Sequence, residues 1–361
     1  MYHLMEKTTY ANTTVTFACG KTMKNRFMLA PLTNKQSHAD GTLSDEEFHW
    51  LTMRAEGQFG LVMTCATSIQ DGGRCWPGQL GIHSDGHLDG HKRLAEEIQK
   101  YGSLAVVQLH HGGMRSDEKL TGIQPVSAYD IEKYNARGLS TKEVEQLRDD
   151  FIAGAIRSQK AGYDGVEVHG AHGYIISQFI SKDTNHRTDQ YGGNLENRSR
   201  LLFEIVDGVR KTCDSSFLLG VRLSPERFGM DIHEIRTISQ QLIDSGNIDF
   251  LDLSLWDVFK SSEVSEQSLL EFTTYLDKKD VKITVAGKIT GSETVQKVLE
   301  AGVDFVTIGK AAILHHDFPV KVFEDPKFQQ VQTPVSEEYL SKEGLSPTFI
   351  EYMQSWEGFV V

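Results

Sequence analysis

One local pattern recurs along the chain. A helix-like stretch stops at a glycine, and a short apolar run follows. Ala161-Gly162-Tyr163-Asp164 precedes Gly165-Val166-Glu167-Val168, Ser245-Gly246-Asn247 precedes Ile248 to Leu253, and Ala301-Gly302 precedes Val303 to Ile308. Gly57 ahead of Gly60 to Met63 is a looser copy. A glycine just past a helix takes the left-handed conformation that ends it. Short apolar runs without alternation are what parallel strands look like when helices cover the sheet.

Eight such runs are read: Arg26–Ala30, Leu61–Cys65, Ala105–Leu109, Val166–Val168, Leu218–Leu223, Phe250–Leu253, Lys282–Val285 and Phe305–Ile308. Helices with legible starts lie between them. Ser44 with Glu47, Ser140 with Glu143 and Asp231 with Glu234 have capping-box spacing. Val144, Leu147, Phe151 and Ala155 form one stripe at the helical period. Eight strands alternating with helices predict an α/β chain folded as a (β/α)8 TIM barrel. A doubly wound sheet is the alternative, but no G-x-G-x-x-G follows the first strand. Residues 1–361 read as a single domain, with the barrel at about 22–324 and a helical tail at 325–361. Alternation over Asn12–Ala18 predicts a small N-terminal hairpin closing the barrel floor. The long connections 110–139 and 169–197 predict functional loops. In the tail, Ser346 and Pro347 open a helix, and Tyr352, Trp356 and Phe359 are left to pack on the barrel or on a neighbouring subunit.

Composition narrows the class. Lys and Arg number 37 against 50 Asp and Glu, a formal charge of −13, which disfavours non-specific nucleic-acid binding. No apolar run approaches the roughly 20 residues that span a bilayer, and Met1 to Tyr10 lacks a secretory core. The 4 cysteines, Cys19, Cys65, Cys75 and Cys213, form no C-x-x-C pair, which suits a reduced cytoplasmic compartment and excludes a cysteine-held cluster.

In a barrel, the loops after the strands build the active face, so polar residues at strand C-terminal ends are expected to do chemistry. Gly287 and Gly309 bring bare backbone to the ends of the last two strands, and with the Lys310 ammonium they would cradle a phosphate. A tight turn at Gly309 and a solvated Lys310 is the plainer reading. A phosphate would also give a buried Arg222 its counter-anion. Gln108 both donates and accepts, as the edge of a fused heterocycle requires. His169 and His172 are placed to aim two imidazoles at one oxygen, with Tyr174 a nearby proton donor. A metal site is the competing reading of H-x-x-H, but no carboxylate or thiolate stands at ligand spacing, and no metal is expected. A bracing role for one of the histidines is the other. His110 and His111 read as loop residues without a chemical role.

At this point the residues resemble a known family. Asn25-Arg26-Phe27-Met28-Leu29-Ala30-Pro31-Leu32-Thr33 looks like the opening of the old yellow enzyme family of FMN-dependent oxidoreductases. His169-x-x-His172-x-Tyr174, followed by Asn185-His186-Arg187-Thr188-Asp189-x-Tyr191-Gly192-Gly193-x-x-x-Asn197-Arg198, is similar to its most characteristic block. The likeness runs from about residue 5 to about residue 325 and to the single-domain branch. It implies that Ala30, Pro31, Leu32 and Thr33 line FMN, with the Thr33 hydroxyl near O4. Ala66 would touch the ring through backbone, Gln108 would read the pyrimidine edge, and Arg222 would face N1 and O2. Gly287, Gly309 and Lys310 would hold the phosphate. His169 and His172 would bind the substrate carbonyl, and Tyr174 would donate the proton. Two departures stand out: Lys310 where many relatives carry arginine, and Lys35 where many bacterial members place a substrate-contacting tyrosine.

The sequence thus predicts an ene-reductase-type enzyme that uses FMN, takes hydride from NADH or NADPH, and passes it to the electron-poor C=C of an α,β-unsaturated carbonyl. With no second Rossmann site, both substrates would share one pocket in ping-pong order. The rival readings are a non-catalytic barrel binding flavin or a phosphorylated metabolite, and a metal-dependent hydrolase. Small molecules are the expected partners, without nucleic acid or membrane, and a homo-oligomer is left open.

Overall fold

The computed structural model describes residues 10–264 and 267–361. The N-terminal leader reading, and the first residues of the family likeness, lie outside them. Eight strands close a parallel barrel in chain order: β1 (Phe27–Leu29), β2 (Leu61–Ser68), β3 (Leu104–His110), β4 (Gly165–Gly170), β5 (Leu218–Leu223), β6 (Phe250–Ser254), β7 (Lys282–Ala286) and β8 (Phe305–Ile308). β8 pairs with β1, so the barrel itself has no open edge. Every one of the eight apolar runs is a barrel strand, several reaching one to three residues further than the runs themselves.

Six of the helices outside the barrel are α1 (Asp45–Glu56), α2 (Leu88–Lys100), α3 (Thr141–Lys160), α4 (Leu195–Thr212), α5 (Ile232–Ser245) and α6 (Ser292–Glu300). Their apolar stripes cover the outward strand residues, as Val144, Leu147, Phe151 and Ala155 of α3 do. Of the three capping boxes, only that of Ser140 and Glu143 closes in both directions. Ser44 and Asp231 cap their helices, but their glutamates are drawn elsewhere: Glu47 to Asn34 and Ser37, Glu234 to Arg198 and Lys182.

The N-terminal hairpin pairs Val15–Thr16 with Thr22–Met23. It carries Phe17 under the barrel, where its ring meets those of Phe250 and Phe305 at 5.9 and 5.8 Å. This apolar floor needs Gly220: a Cβ there would lie 2.1 Å from the Phe250 ring. The tail packs back on the barrel shell, with Phe349 against Trp50 at 5.3 Å and Phe359 buried. No helix among the described residues is long and apolar enough to cross a membrane.

Candidate active site

Strand alternation decides what faces the barrel axis. On β3 to β6 the outward residues Val107, Val168, Val221 and Leu253 join the outer core under the helices, while Val106, Leu218 and Phe250 join the floor cluster inside. With a side-chain period of two, Gln108 and His110, Glu167 and His169, Arg222, and Asp252 and Ser254 all turn inward above the floor. The result is a buried polar layer topped by imidazoles at the C-terminal face.

In the polar layer Gln108 Nε2 donates to Glu167 Oε1 at 2.7 Å. Arg222 Nε lies 3.1 Å from Asp252 Oδ2, without hydrogen-bond alignment. Thr284 and Thr307 share a 2.8 Å hydrogen bond. The counter-anion of Arg222 within the protein is therefore Asp252. This corrects the expectation that a phosphate supplied it: Asp252 opposes Arg222 directly in the β5–β6 register.

Above this layer, His172 Nδ1 and His169 Nε2 are 3.3 Å apart, and His172 Nε2 is 2.8 Å from Ser254 Oγ. The two rings thus bond one another rather than both facing open space, a correction to the simple two-donor picture. His169 Nδ1 is buried with no hydrogen-bond partner. His172 has φ +62°, a left-handed backbone that is rare and costly for a side-chain-bearing residue. It is held by a hydrogen bond from its N–H to Ser224 Oγ, 3.2 Å, and by Arg115, which donates to its carbonyl at 2.7 Å.

Tyr174 stands 5.4 Å from His169, ring to ring, under the Arg115 guanidinium at 4.7 Å. Burial lowers the His172 pKa to about 3, helped by Arg222 and Arg115, and holds His169 well below the usual imidazole range. Burial raises Tyr174 to about 12. Both imidazoles are neutral at pH 7, and the phenol keeps its proton.

His110 was read as a loop residue; it is the last residue of β3, fully buried, with its ring 5.6 Å from His169 and 4.3 Å from Tyr174. Its Nδ1 faces Gln79 Nε2 at 3.2 Å and its Nε2 has no partner. Arg115, Ser224, Ser254 and the tail residue Tyr352 were also missed. Tyr352 lies close enough to raise the Tyr174 pKa and carries the Lys35 ammonium 4.6 Å above its ring. The Gln108–Leu109–His110 alternation was the available signal for His110; for Tyr352 there was none.

The remaining candidates surround the same mouth. Ala30 N–H donates to Ile308 O at 3.0 Å, joining the β1 exit to β8. A Cβ on Gly309 would find only Leu32 and Ala30, at 3.9 and 4.0 Å. Pro31, Leu32 and Thr33 are half-buried, and Ala66 is buried, its carbonyl accepting from Gln79 Nε2 at 2.8 Å. Gly287, at φ +152°, brings bare backbone against the loop after β6, where a Cβ would sit 2.9 Å from Asp257 N. Lys310 is exposed, with its ammonium 3.4 Å from Thr333 Oγ1 and 4.9 Å over the Phe359 ring. A buried guanidinium on β5, an inward amide on β3, unpartnered ring nitrogens at the mouth, and open backbone with a lysine at β8 fit a flat heterocycle carrying an anionic tail, as FMN does.

Comparison with known proteins agrees with this geometry. The model of the NADH:flavin oxidoreductase / NADH oxidase family matches residues 15–327. The chain is 35% identical over 334 residues to a probable NADH-dependent flavin oxidoreductase, YqiG, of Bacillus subtilis, covering 89% of each chain. It is 32% identical to an NADPH dehydrogenase of Bacillus pumilus, covering 85% of this chain and 92% of the relative. Among solved structures, the old yellow enzyme homologue from Zymomonas mobilis superposes with a TM-score of 0.80 at 29% identity, covering 94% of this chain and 99% of that one. The chain therefore belongs to the NADH:flavin oxidoreductase / NADH oxidase family, the old yellow enzyme group of FMN-dependent NAD(P)H oxidoreductases.

Proposed function

We propose that this flavin oxidoreductase reduces the electron-poor C=C bond of α,β-unsaturated carbonyl compounds, with NADH or NADPH as donor. The observation that carries the reading is the meeting of His169, His172 and Tyr174 at the barrel mouth, where His169 pairs with Arg222 in the β4–β5 register and stands one inward position beyond Glu167, the partner of Gln108. When bound, FMN would supply the hydride chemistry that links the nicotinamide to the alkene. His169 and His172 donate N–H groups to the carbonyl oxygen, where charge develops as the β-carbon is reduced. A ligand oxygen does so by taking over the bond the two rings share. Tyr174 delivers its phenolic proton to the α-carbon, a task suited to a group that stays protonated at neutral pH.

Arg222 and Gln108 would hold the pyrimidine edge, Ala30 to Thr33 and Ala66 the ring face, and Gly287, Gly309 and Lys310 the phosphate. The relatives' names cite NADH in one case and NADPH in another, so either donor suits the reading. Titration of the holoenzyme with a para-substituted phenol tests it. A phenolate held by two N–H donors over oxidised flavin is expected to give a long-wavelength charge-transfer band. His169→Ala and His172→Ala, normalised to bound FMN, are expected to weaken it. An undiminished band in both variants would overturn the oxyanion assignment.

A further inference from the structure

Two acids inside the barrel have no part in the chemistry above. Glu167 on β4 and Asp252 on β6 are both fully buried, separated by β5. Glu167 Oε1 accepts from Gln108, but Oε2 has no partner, and neither oxygen of Asp252 has an aligned donor. Arg222 from β5 is the cation that faces them. Gln108 on β3 and Thr307 on β8 are the polar neighbours, and His169 lies one inward position above. Two carboxylates against one guanidinium would leave a bare charge in a dry interior. Two ionised carboxylates also offer only acceptors to each other; a proton on one supplies the missing donor. Burial raises both groups. For Glu167 the facing Asp252 adds to this while Arg222 opposes it, and for Asp252 both Arg222 and a hydrogen bond from Glu167 pull back down. The resting arrangement that satisfies these atoms is protonated Glu167 donating to ionised Asp252, which pairs with Arg222.

We propose that this carboxyl pair holds one proton beneath the oxidised flavin and takes a second from solvent when the ring is reduced, freeing Arg222 to serve the ring. The inference rests on the reading that Arg222 faces the pyrimidine edge. Reduction by NAD(P)H moves two electrons and one proton to the ring, leaves NAD(P)+, and gives the ring one negative charge. The second proton forms an O–H bond on Asp252 and is drawn from a solvent hydronium, so charge in the site is conserved. Arg222, no longer matched by Asp252, then faces the ring's negative charge with an undivided positive one. Glu167 and Asp252 are in this sense positioning residues acting through Arg222.

The test is a redox titration of the holoenzyme as a function of pH. The parent is expected to take up two protons per two electrons over part of the neutral-to-alkaline range, and one elsewhere. Glu167→Gln and Asp252→Asn are expected to hold at one proton throughout. A reduced-minus-oxidised infrared difference spectrum of the parent, which needs no variant to fold, is expected to gain a protonated-carboxyl C=O band that shifts in heavy water. One proton per two electrons at every pH, with no such band, would overturn the proposal. Arg222→Lys separates this failure from that of the underlying reading. If Arg222 faces the ring, the variant shifts the flavin potential at all pH values whatever the pair does. An unmoved potential means that Arg222 does not face the ring, and the proposal falls with that reading.

Discussion

His110 meets Tyr174 edge to face, with ring centroids 4.3 Å apart and planes at 79°. The Arg115 guanidinium lies over the same phenol at 4.7 Å. Together they leave the ring little freedom to turn. His110→Ala removes one wall and is expected to slow reoxidation of the reduced holoenzyme by an enone about 10²-fold, the scale at which displacement of a reacting group by about 1 Å is felt. Flavin reduction by NAD(P)H should change far less. Rapid mixing of each half-reaction separately reads both numbers, and an equal loss in the two would assign His110 to flavin packing instead.

Tyr174 is itself assigned to one step only. Tyr174→Phe keeps the ring and its contacts but removes the proton, so the enone half-reaction is expected to fall about 10²–10⁴-fold, the usual worth of a positioned general acid. Nicotinamide-driven bleaching should stay near the parent rate. An unchanged enone rate would mean that the proton comes from elsewhere.

Lys310 and Arg222 should fail differently. Lys310→Ala is expected to weaken FMN retention by about 1.5–3 kcal/mol, the worth of a charged hydrogen bond, with the fold intact because Lys310 itself is exposed and touches only the Thr333 hydroxyl and the face of the Phe359 ring. Arg222→Ala strips the buried cation from Asp252 and is expected to cost about 3–5 kcal/mol of stability as well. Dialysis of the holoenzyme and thermal melts of the apoenzyme separate the two effects. FMN held by Lys310→Ala as tightly as by the parent would contradict the phosphate assignment.

Acid should unfold this protein early. Burial lowers His91 and His111 to about 4 and His172 to about 3 in the fold, whereas an unfolded chain titrates its histidines near about 6.5. Below that value these histidines bind more protons in the unfolded state, so their contribution to stability is complete above about pH 6.5 and falls with pH until the folded groups titrate. Each such histidine removes about 2 kcal/mol by about pH 5. Melting temperatures in buffers from neutral to mildly acid pH are expected to drop steeply with several protons taken up on unfolding. A flat profile would show that these imidazoles are charged in the native state.

The barrel was legible because its strands are buried on both sides and so read as short apolar runs, several of them announced by the glycine that follows the helix before them. The inward polar face was legible only where a residue's position follows from its place near a strand end, as for His169 and Arg222. His110 reads as a loop residue when taken with His111, yet it stands two steps from inward Gln108 and closes the same strand. Asp252 hid in an apolar run as an ordinary strand residue, and only closure of the barrel sets it against Arg222 and Glu167. Arg115 and Tyr352 reach Tyr174 through a loop and a tail whose paths depend on tertiary packing, which carries no period along the chain.

The most direct measurement is an anaerobic two-step mixing experiment on the yellow holoenzyme. NADH or NADPH is added first, and then either an α,β-unsaturated ketone or its saturated counterpart. Bleaching by the nicotinamide, rapid return of colour with the enone, and one equivalent of saturated product per flavin are the expected results, with no response to the saturated ketone. A protein that bleaches but regains colour only when oxygen is admitted, whichever unsaturated carbonyl is offered, would contradict the reading of His169, His172 and Tyr174 as an alkene-reducing site.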